Sequence, residues 1–186
     1  MAELFESIVS LQALLNRAGV PSAVIGGVAV GVWGEPRVTR DVDIKVLLTR
    51  EDASRLLDIL GPAYVPLQPD PLQALARTGI LFVRDEAGTR IDLLLSDTVF
   101  DRAAVERAVP VELETGMQAH VCRPEELIVY KLISTRPRDH EDAASVVRRQ
   151  GTELDDRYIL KWLVRFEQAL DDSTLVAEFR SLQRQR

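Results

Sequence analysis

The sequence predicts an α+β fold, in which a mixed β-sheet with flanking helices is followed by a helical C-terminal region. Short apolar runs of strand length recur over the first two thirds of the chain, with segments of helical spacing between them. From residue 123 onward every periodic segment is helical. The chain has 186 residues, of which 46% are hydrophobic, so it can bury a full core. We expect an α/β core over 1–122 and a helical region packed on it over 123–186.

The first elements follow from apolar spacing and glycine stops. Apolar residues at helical spacing predict a helix over 3–17, which Gly19 would end. A short buried strand over 21–27 closes in a pair of glycines, and a short helix over 28–33 follows. Strict alternation of apolar and polar residues predicts a half-buried strand over 40–48.

The middle of the chain is predicted from caps, prolines and one hairpin signal. A capping-box pattern at 49–52 opens a helix that Gly61 would close. The region 62–78 holds four prolines, and we interpret it as a loop with a short helix near its end. Two apolar runs within 79–96 flank the turn sequence DEAG, which is typical of a β-hairpin.

The remaining elements complete the sheet and then form the helical region. Residues 98–108 are predicted to be helical, and two short strands are predicted within 109–122. The predicted helices of the C-terminal region cover 123–134, 139–149, 155–170 and 174–184.

Composition excludes several classes of protein. The net charge of −6 argues against general nucleic-acid binding. A single cysteine, Cys122, and two histidines make a zinc site improbable, so a metal ion would have to be held by oxygen atoms. The acidic N-terminus does not resemble a secretory signal, and no apolar stretch is long enough for a membrane helix. We expect a cytoplasmic protein without a membrane partner.

Three carboxylates are the candidate metal ligands. Asp41 and Asp43 lie two residues apart on the alternating strand, so both side chains point to one face, where they suit Mg²⁺. Taken alone, this pair is also what a solvated strand face would show. Asp92 lies in an apolar strand and needs a partner, which is either a metal ion shared with the other two carboxylates or a salt bridge with Arg90 or Arg84.

The residues that precede the aspartates are candidates for nucleotide binding. Gly26 and Gly27 lead into a helix start, where close backbone approach and free N–H groups suit phosphate, although an ordinary tight turn has the same sequence. Arg37 and Thr39 stand just before the aspartates and could reach a phosphate or a ligand hydroxyl.

The glycine pair followed by RVTRDVDI resembles the signature of the nucleotidyltransferase superfamily, which has the polymerase-beta-like fold. It is most similar to the branch of AbiE-type toxin nucleotidyltransferases of toxin–antitoxin systems. Asp92 matches the third carboxylate of the superfamily. The segment ELIVYKLISTRPRDHEDAASVV is similar to a second motif of this branch, with Lys131 on the family lysine and Arg138, Asp139 and Asp142 on its Arg-Asp-x-x-Asp. Gly27 departs from the serine of many members.

This resemblance implies a magnesium-dependent enzyme that transfers a nucleoside monophosphate from an NTP to an acceptor hydroxyl. Asp41 and Asp43 would hold the metal ion on the nucleotide, Asp92 would help to hold a second one, and the glycine pair would meet the phosphates. Lys131 would neutralise the triphosphate, unless it is a surface lysine. Asp139 would orient Lys131 or act on the nucleophile; alternatively, Asp139 and Asp142 only pair with Arg136 or Arg138.

The acceptor and the partners stay open at this level. The resemblance implies tRNA or another RNA as acceptor and a cognate antitoxin as partner. Two alternatives are a small acceptor, as in aminoglycoside nucleotidyltransferases, and a relative that binds nucleotide or a partner without turnover. A basic groove would favour RNA, and its candidate residues are Arg136, Arg138, Arg148 and Arg149.

Overall fold

The computed structural model describes residues 2–186 and has the predicted α+β architecture. The strands of these residues are β1 (Ser22–Ile25), β2 (Asp41–Val46), β3 (Val65–Pro66), β4 (Ile80–Arg84), β5 (Arg90–Leu95), β6 (Val109–Glu114) and β7 (Met117–Val121). They form one seven-stranded mixed sheet in the order β3-β4-β5-β2-β1-β7-β6. The predicted strands are confirmed, and β3 is the one that the sequence analysis missed.

The helices agree with the predicted ones to within a few residues. They are α1 (Ala2–Arg17), α2 (Gly26–Trp33), α3 (Ala53–Leu60), α4 (Pro71–Thr78), α5 (Val99–Glu106), α6 (Pro124–Leu132), α7 (Pro137–Gln150), α8 (Asp156–Leu170) and α9 (Leu175–Gln183). The predicted capping box at Thr49 is present, and Gly61 follows the end of α3. No helix of residues 2–186 combines the length and the apolar character that a membrane crossing needs.

The chain divides into two compact units. The first contains 2–28 and 38–122, which include the whole sheet. The second contains Ala29–Arg37 and Arg123–Arg186, and therefore includes a segment that the sequence-based division assigns to the core.

In the first unit, β2 is an inner strand with a different partner on each side. It runs antiparallel to β1 and parallel to β5, and β5 in turn pairs antiparallel with β4. Val42, Ile44 and Val46 are fully buried on one face of β2. On the other face Lys45 is buried beside α5, where its Nζ lies 2.6 Å from Asp101 Oδ1. The other end of that face begins at Asp41, which is exposed.

In the second unit, residues 33–37 lie against α7. A Cβ on Gly34 would lie only 2.4 Å from Ser145 Oγ, so a glycine is required for this approach. The backbone N–H of Glu35 donates to the same hydroxyl (3.3 Å), and Gln150 Nε2 donates to the carbonyl of Trp33 (2.7 Å). These contacts fix the segment that carries Arg37 on the surface of α7.

Candidate active site

The register of β2 and β5 brings the three predicted carboxylates together. Asp43 and Asp92 are Cα partners on these parallel strands, and Asp41 is the partner of Arg90. Residues in register on neighbouring strands are about 4.8 Å apart and project to the same side of the sheet. We call the surface that Asp41, Asp43 and Asp92 share the carboxylate face. Asp41 is exposed, while Asp43 and Asp92 are half-buried.

The glycine turn lies directly against one of these carboxylates. Gly26 begins α2 at the end of β1 and has a φ of 64°, in the left-handed region that favours glycine. A Cβ on Gly26 would lie 1.9 Å from Asp43 Oδ2 and 2.6 Å from its Cγ. Both the backbone conformation and the space therefore require glycine here, and the start of α2 is held next to the carboxylate face.

Arg90 belongs to the carboxylate face and forms a salt bridge with Asp92. This salt bridge is one of the two alternatives that the sequence left open for Asp92, the other being a shared metal ion. The Nε and Nη2 of Arg90 donate to the two oxygens of Asp92 at 2.8 and 3.1 Å, and its guanidinium lies 4.6 Å from the centre of the Phe82 ring. The signal in the sequence is Arg-x-Asp on a strand, since that spacing puts both side chains on one face. The other candidate partner of Asp92, Arg84, donates instead to the carbonyl of Gly88 (2.6 Å).

The electrostatics of Arg90 reflect all three carboxylates. Its hydrogen bond to Asp92 raises the pKa of Arg90 above its ordinary value, although partial burial opposes the shift. The negative charges of Asp92, Asp41 and Asp43 raise the pKa further. Arg90 thus carries a stable positive charge among the three carboxylates.

An open cavity lies at the start of β2 and β5, next to these residues. It has a volume of about 390 Å³, and its walls include Asp41 and the arginines Arg40, Arg84 and Arg90. This volume is within the usual range for small-ligand pockets. Three arginines against two carboxylates, Asp41 and Glu3, give the cavity a net positive charge, which suits an anionic ligand.

The residues of the carboxylate face fit a divalent cation only in part. Oxygen ligands suit Mg²⁺, and Asp41 and Asp43 supply them on one strand face. Both oxygens of Asp92, however, accept hydrogen bonds from Arg90. Within residues 2–186, no three Asp, Glu, His or Cys side chains are arranged so that they could hold a metal ion together. Asp92 therefore fits a cation only after Arg90 has moved.

Thr39 and Arg37 do different things, although both were candidates for nucleotide binding. The Thr39 hydroxyl donates to the carbonyl of Asp41 (3.1 Å), so it supports the backbone at the start of β2. Arg37 belongs to the second unit, where its Nε and Nη2 each donate to Asp142 at 2.9 Å.

The second predicted motif forms an ion-pair network in the second unit. The Lys131 ammonium is buried and pairs with Asp139 and, at 2.9 Å, with Asp142. Burial would raise the pKa of Asp139, but hydrogen bonds from Lys131 and Ser134 outweigh it and lower that pKa. Asp139 and Asp142 thus contact Lys131 and Arg37, rather than the Arg136 and Arg138 considered from sequence. The two cations and two carboxylates balance in charge.

The arginines proposed for a basic groove are only partly available for one. Arg148 Nη2 donates to Glu35 (3.1 Å), and Arg149 Nη1 donates to the carbonyl of Gly34. Arg136 and Arg138 lie at the other end of α7, more than two helical turns away. Arg138 and Arg148 nevertheless line one open cavity of about 440 Å³ together with Arg37, and the carboxylates Glu35, Glu141 and Asp142 line it as well, so its charges balance.

Comparison with known structures supports the fold. An antigenic nucleotidyltransferase-like protein from Paracoccidioides brasiliensis is 17% identical, over 95% of this chain and 93% of that one, with a TM-score of 0.54. The structure of ANT(2″)-Ia in complex with adenylyl-2″-tobramycin is 13% identical, over 89% of this chain and 99% of that one, with a TM-score of 0.56. No family model and no curated protein matches the sequence. The chain therefore has the nucleotidyltransferase fold, and these likenesses do not identify a branch.

Proposed function

We propose that the chain is a magnesium-dependent nucleotidyltransferase that transfers a nucleoside monophosphate from an NTP to an acceptor hydroxyl. The observation that carries the proposal is that Asp43 is in register with Asp92, lies two residues from Asp41 on the same strand face, and is in close contact with the turn at Gly26. This arrangement puts cation ligands and a helix start in one place, as a bound triphosphate requires. The arginines of the neighbouring cavity add positive charge for the phosphates.

In the proposed reaction the acceptor oxygen bonds to the α-phosphorus, the bond from that phosphorus to the bridging oxygen breaks, and pyrophosphate leaves. Asp41 and Asp43 would hold the magnesium ion of the nucleotide, and Asp92 would help to hold a second. When bound, these ions would neutralise the triphosphate and lower the pKa of the attacking hydroxyl. Gly26 and Gly27 would let backbone N–H groups approach the phosphates. Lys131, Arg37 and Asp139 stay candidates for nucleotide binding through their network in the second unit.

Two acceptor classes follow from different observations. The resemblance to AbiE-type toxins suggests tRNA or another RNA, and with it a cognate antitoxin. The cavity along α7 favours a small molecule, because its three arginines (Arg37, Arg138 and Arg148) are matched by three carboxylates (Glu35, Glu141 and Asp142) and do not form the basic surface that an RNA backbone needs. The small acceptor is therefore our second candidate.

The test is transfer of labelled nucleotide. The purified protein is incubated with Mg²⁺ and each of the four α-labelled NTPs, with bulk tRNA in one series and tobramycin in the other. We expect pyrophosphate release and label in one acceptor, and a loss of at least about 100-fold in Asp43→Asn. Binding of Mg·NTP without pyrophosphate release in any series would instead support a non-catalytic relative. Full activity of Asp43→Asn would show that the reaction occurs elsewhere.

A further inference from the structure

The position of Arg90 bears on how Asp92 becomes available to a cation. Arg90 is two residues before Asp92 on β5 and grips both of its carboxylate oxygens. Such bidentate pairs with a planar guanidinium are the strong ones among charge-assisted hydrogen bonds. The ring of Phe82, whose Cα is the register partner of Asp92 on β4, lies under the guanidinium and supports it in this position. The Arg90–Asp92 pair is therefore held by two hydrogen bonds and by the Phe82 ring beneath the guanidinium.

The net charge of the carboxylate face also depends on Arg90, and this affects how many cations the face can bind. Three carboxylates and one guanidinium leave a formal charge of −2, which a single divalent cation neutralises. A second divalent cation at Asp92 would lie a few ångströms from the Arg90 guanidinium, and the two positive charges repel. The second cation is favoured only if the guanidinium leaves or if phosphates of a nucleotide bring further negative charge.

We propose that the guanidinium of Arg90 and a divalent cation compete for Asp92, so that the second cation site opens only when Arg90 turns away from this carboxylate. This inference rests on the proposed function, since it concerns the same carboxylates. It assigns to Arg90 the role of a positioning residue: in the absence of the second cation it holds Asp92 in place beside Asp43. The side chain of Arg90 is 39% exposed, so it has room to turn toward solvent when the cation binds.

The experiment measures binding of Mn²⁺ alone by calorimetry, in wild type and in Arg90→Gln, without nucleotide. Arg90→Gln frees both oxygens of Asp92 and removes a positive charge about 5 Å from the cation, so it is expected to tighten binding about tenfold. Arg90→Gln should also show a second equivalent of Mn²⁺ at concentrations where the wild type binds one. Both results are independent of turnover.

Arg84→Gln is the matched control, because Arg84 is the register partner of Arg90 but donates to Gly88 and not to Asp92. It removes the same charge from the neighbouring strand without freeing Asp92, so it should change Mn²⁺ affinity by no more than about threefold. Equal tightening in both variants would overturn the proposal and show a general effect of charge.

Arg90→Lys keeps the test decisive if Arg90→Gln does not fold. Lysine retains the charge but cannot form the two parallel hydrogen bonds. If the grip on Asp92 excludes the cation, Arg90→Lys should bind Mn²⁺ more tightly than wild type, and an unchanged affinity overturns the proposal. The proposed function is separable: if wild type binds Mn²⁺ through Asp41 and Asp43 and the Arg90 variants bind it equally, only the competition is wrong. If neither wild type nor the variants bind Mn²⁺, the competition is wrong, while the proposed function, in which the first ion arrives with the nucleotide, is decided by the transfer of labelled nucleotide.

Discussion

Gly26 lies so close to Asp43 that a single added methyl group would overlap its carboxylate, with 1.9 Å between the new Cβ and Oδ2. Gly26→Ala should therefore destabilise the protein in two ways. The φ of 64° costs about 1–2 kcal/mol for a residue with a Cβ, and displacing Asp43 adds about 1–3 kcal/mol. Urea unfolding followed by circular dichroism measures the sum.

Gly19→Ala separates the two costs. Gly19 has a similar φ of 68°, but nothing lies within 4 Å of its added Cβ. It should show the backbone cost alone. In an Asp43→Ala background the excess cost of Gly26→Ala should shrink, because the carboxylate atoms nearest to the new Cβ are gone. Equal effects of the two alanine substitutions in the wild-type background would contradict the contact.

The double variant Asp41→Asn with Asp43→Asn should lose Mg²⁺-dependent NTP binding and keep its fold. Asn keeps the size of each side chain and can still donate and accept hydrogen bonds, and Arg90 keeps Asp92 as its partner, so the free energy of unfolding without metal should change little. Calorimetry with Mg·ATP and thermal melting measure the two effects. Asp58→Asn, at an exposed position on α3, is the control. Wild-type affinity for Mg·ATP in the double variant would place the nucleotide elsewhere.

Lys131→Met should destabilise the second unit. The Lys131 side chain is 8% exposed and pairs with two carboxylates, so its loss leaves Asp139 with the Ser134 hydroxyl and the charge of Arg136, and Asp142 with Arg37 alone. We expect a cost of about 2–3 kcal/mol in urea unfolding, less than for a fully buried pair because Asp142 retains a partner. Lys161→Met, at an exposed position on α8, should cost little.

The same Lys131 variant tests the role that the family resemblance implies. If Lys131 neutralises a triphosphate, Lys131→Met should weaken NTP binding much more than NMP binding. Titrations with ATP and AMP at a temperature where the variant is folded make the comparison. An equal loss for both nucleotides would leave Lys131 with the structural role alone.

His140 predicts a pH dependence of stability. Its Nδ1 faces Glu178 Oε1 at 2.5 Å and its Nε2 faces the carbonyl of Ser134 at 2.6 Å. Because both partners accept hydrogen bonds, both contacts are satisfied only when both ring nitrogens carry protons. The hydrogen bond to Glu178 is the main cause that raises the pKa of His140, burial opposes it, and the Ser134 carbonyl and Asp139 add to the rise.

A raised pKa in the folded state means that the folded protein binds more protons than the unfolded chain. The stabilisation from His140 is thus fully present below the unfolded pKa of about 6.5 and is lost as the pH rises through the folded pKa. The free energy of unfolding should fall over this window, by a modest amount because both side chains are about a third exposed. Glu178→Gln should flatten the dependence, while Glu141→Gln on the adjacent residue should retain it. A slope that persists in Glu178→Gln would point to another group.

The elements were predictable because their signals are local. The alternation around Asp43 and the turn glycine at Gly88 each depend on a few neighbouring residues. β3 was missed because it has two residues, one of them Pro66, and its pairing with β4 is set by the rest of the sheet. No local periodicity indicates a strand of that length.

The site was predictable as a set of residue types but not as a set of contacts. That Asp43 and Asp92 are in register depends on the pairing of β2 with β5, which strands of this length can achieve in several registers. The sequence spacing put Arg90 on the face of Asp92. That the Arg90 guanidinium pairs with Asp92 and does not extend into solvent depends on Phe82 from another strand. The burial of Lys131 between two carboxylates of α7 likewise required the packing of α6 on α7.

Asp92→Asn should separate binding of the nucleotide from transfer. Asn has the same shape and can still accept one hydrogen bond from Arg90 through its oxygen, so the fold should be retained. The metal ion on the triphosphate would still be held by Asp41 and Asp43, so Mg·NTP affinity should change by no more than about threefold. Transfer should fall by at least about 100-fold, because the neutral amide is a poor ligand for the second cation. Calorimetry with Mg·ATP and a pyrophosphate assay give the two values.

Asp97→Asn is the control, since Asp97 also pairs with an arginine, Arg50, but outside the carboxylate face. If Asp92→Asn lost Mg·ATP binding as completely as the Asp41 and Asp43 double variant, all three carboxylates would hold the same cation. If it transferred nucleotide at the wild-type rate, its pairing with Arg90 would be the whole role of Asp92.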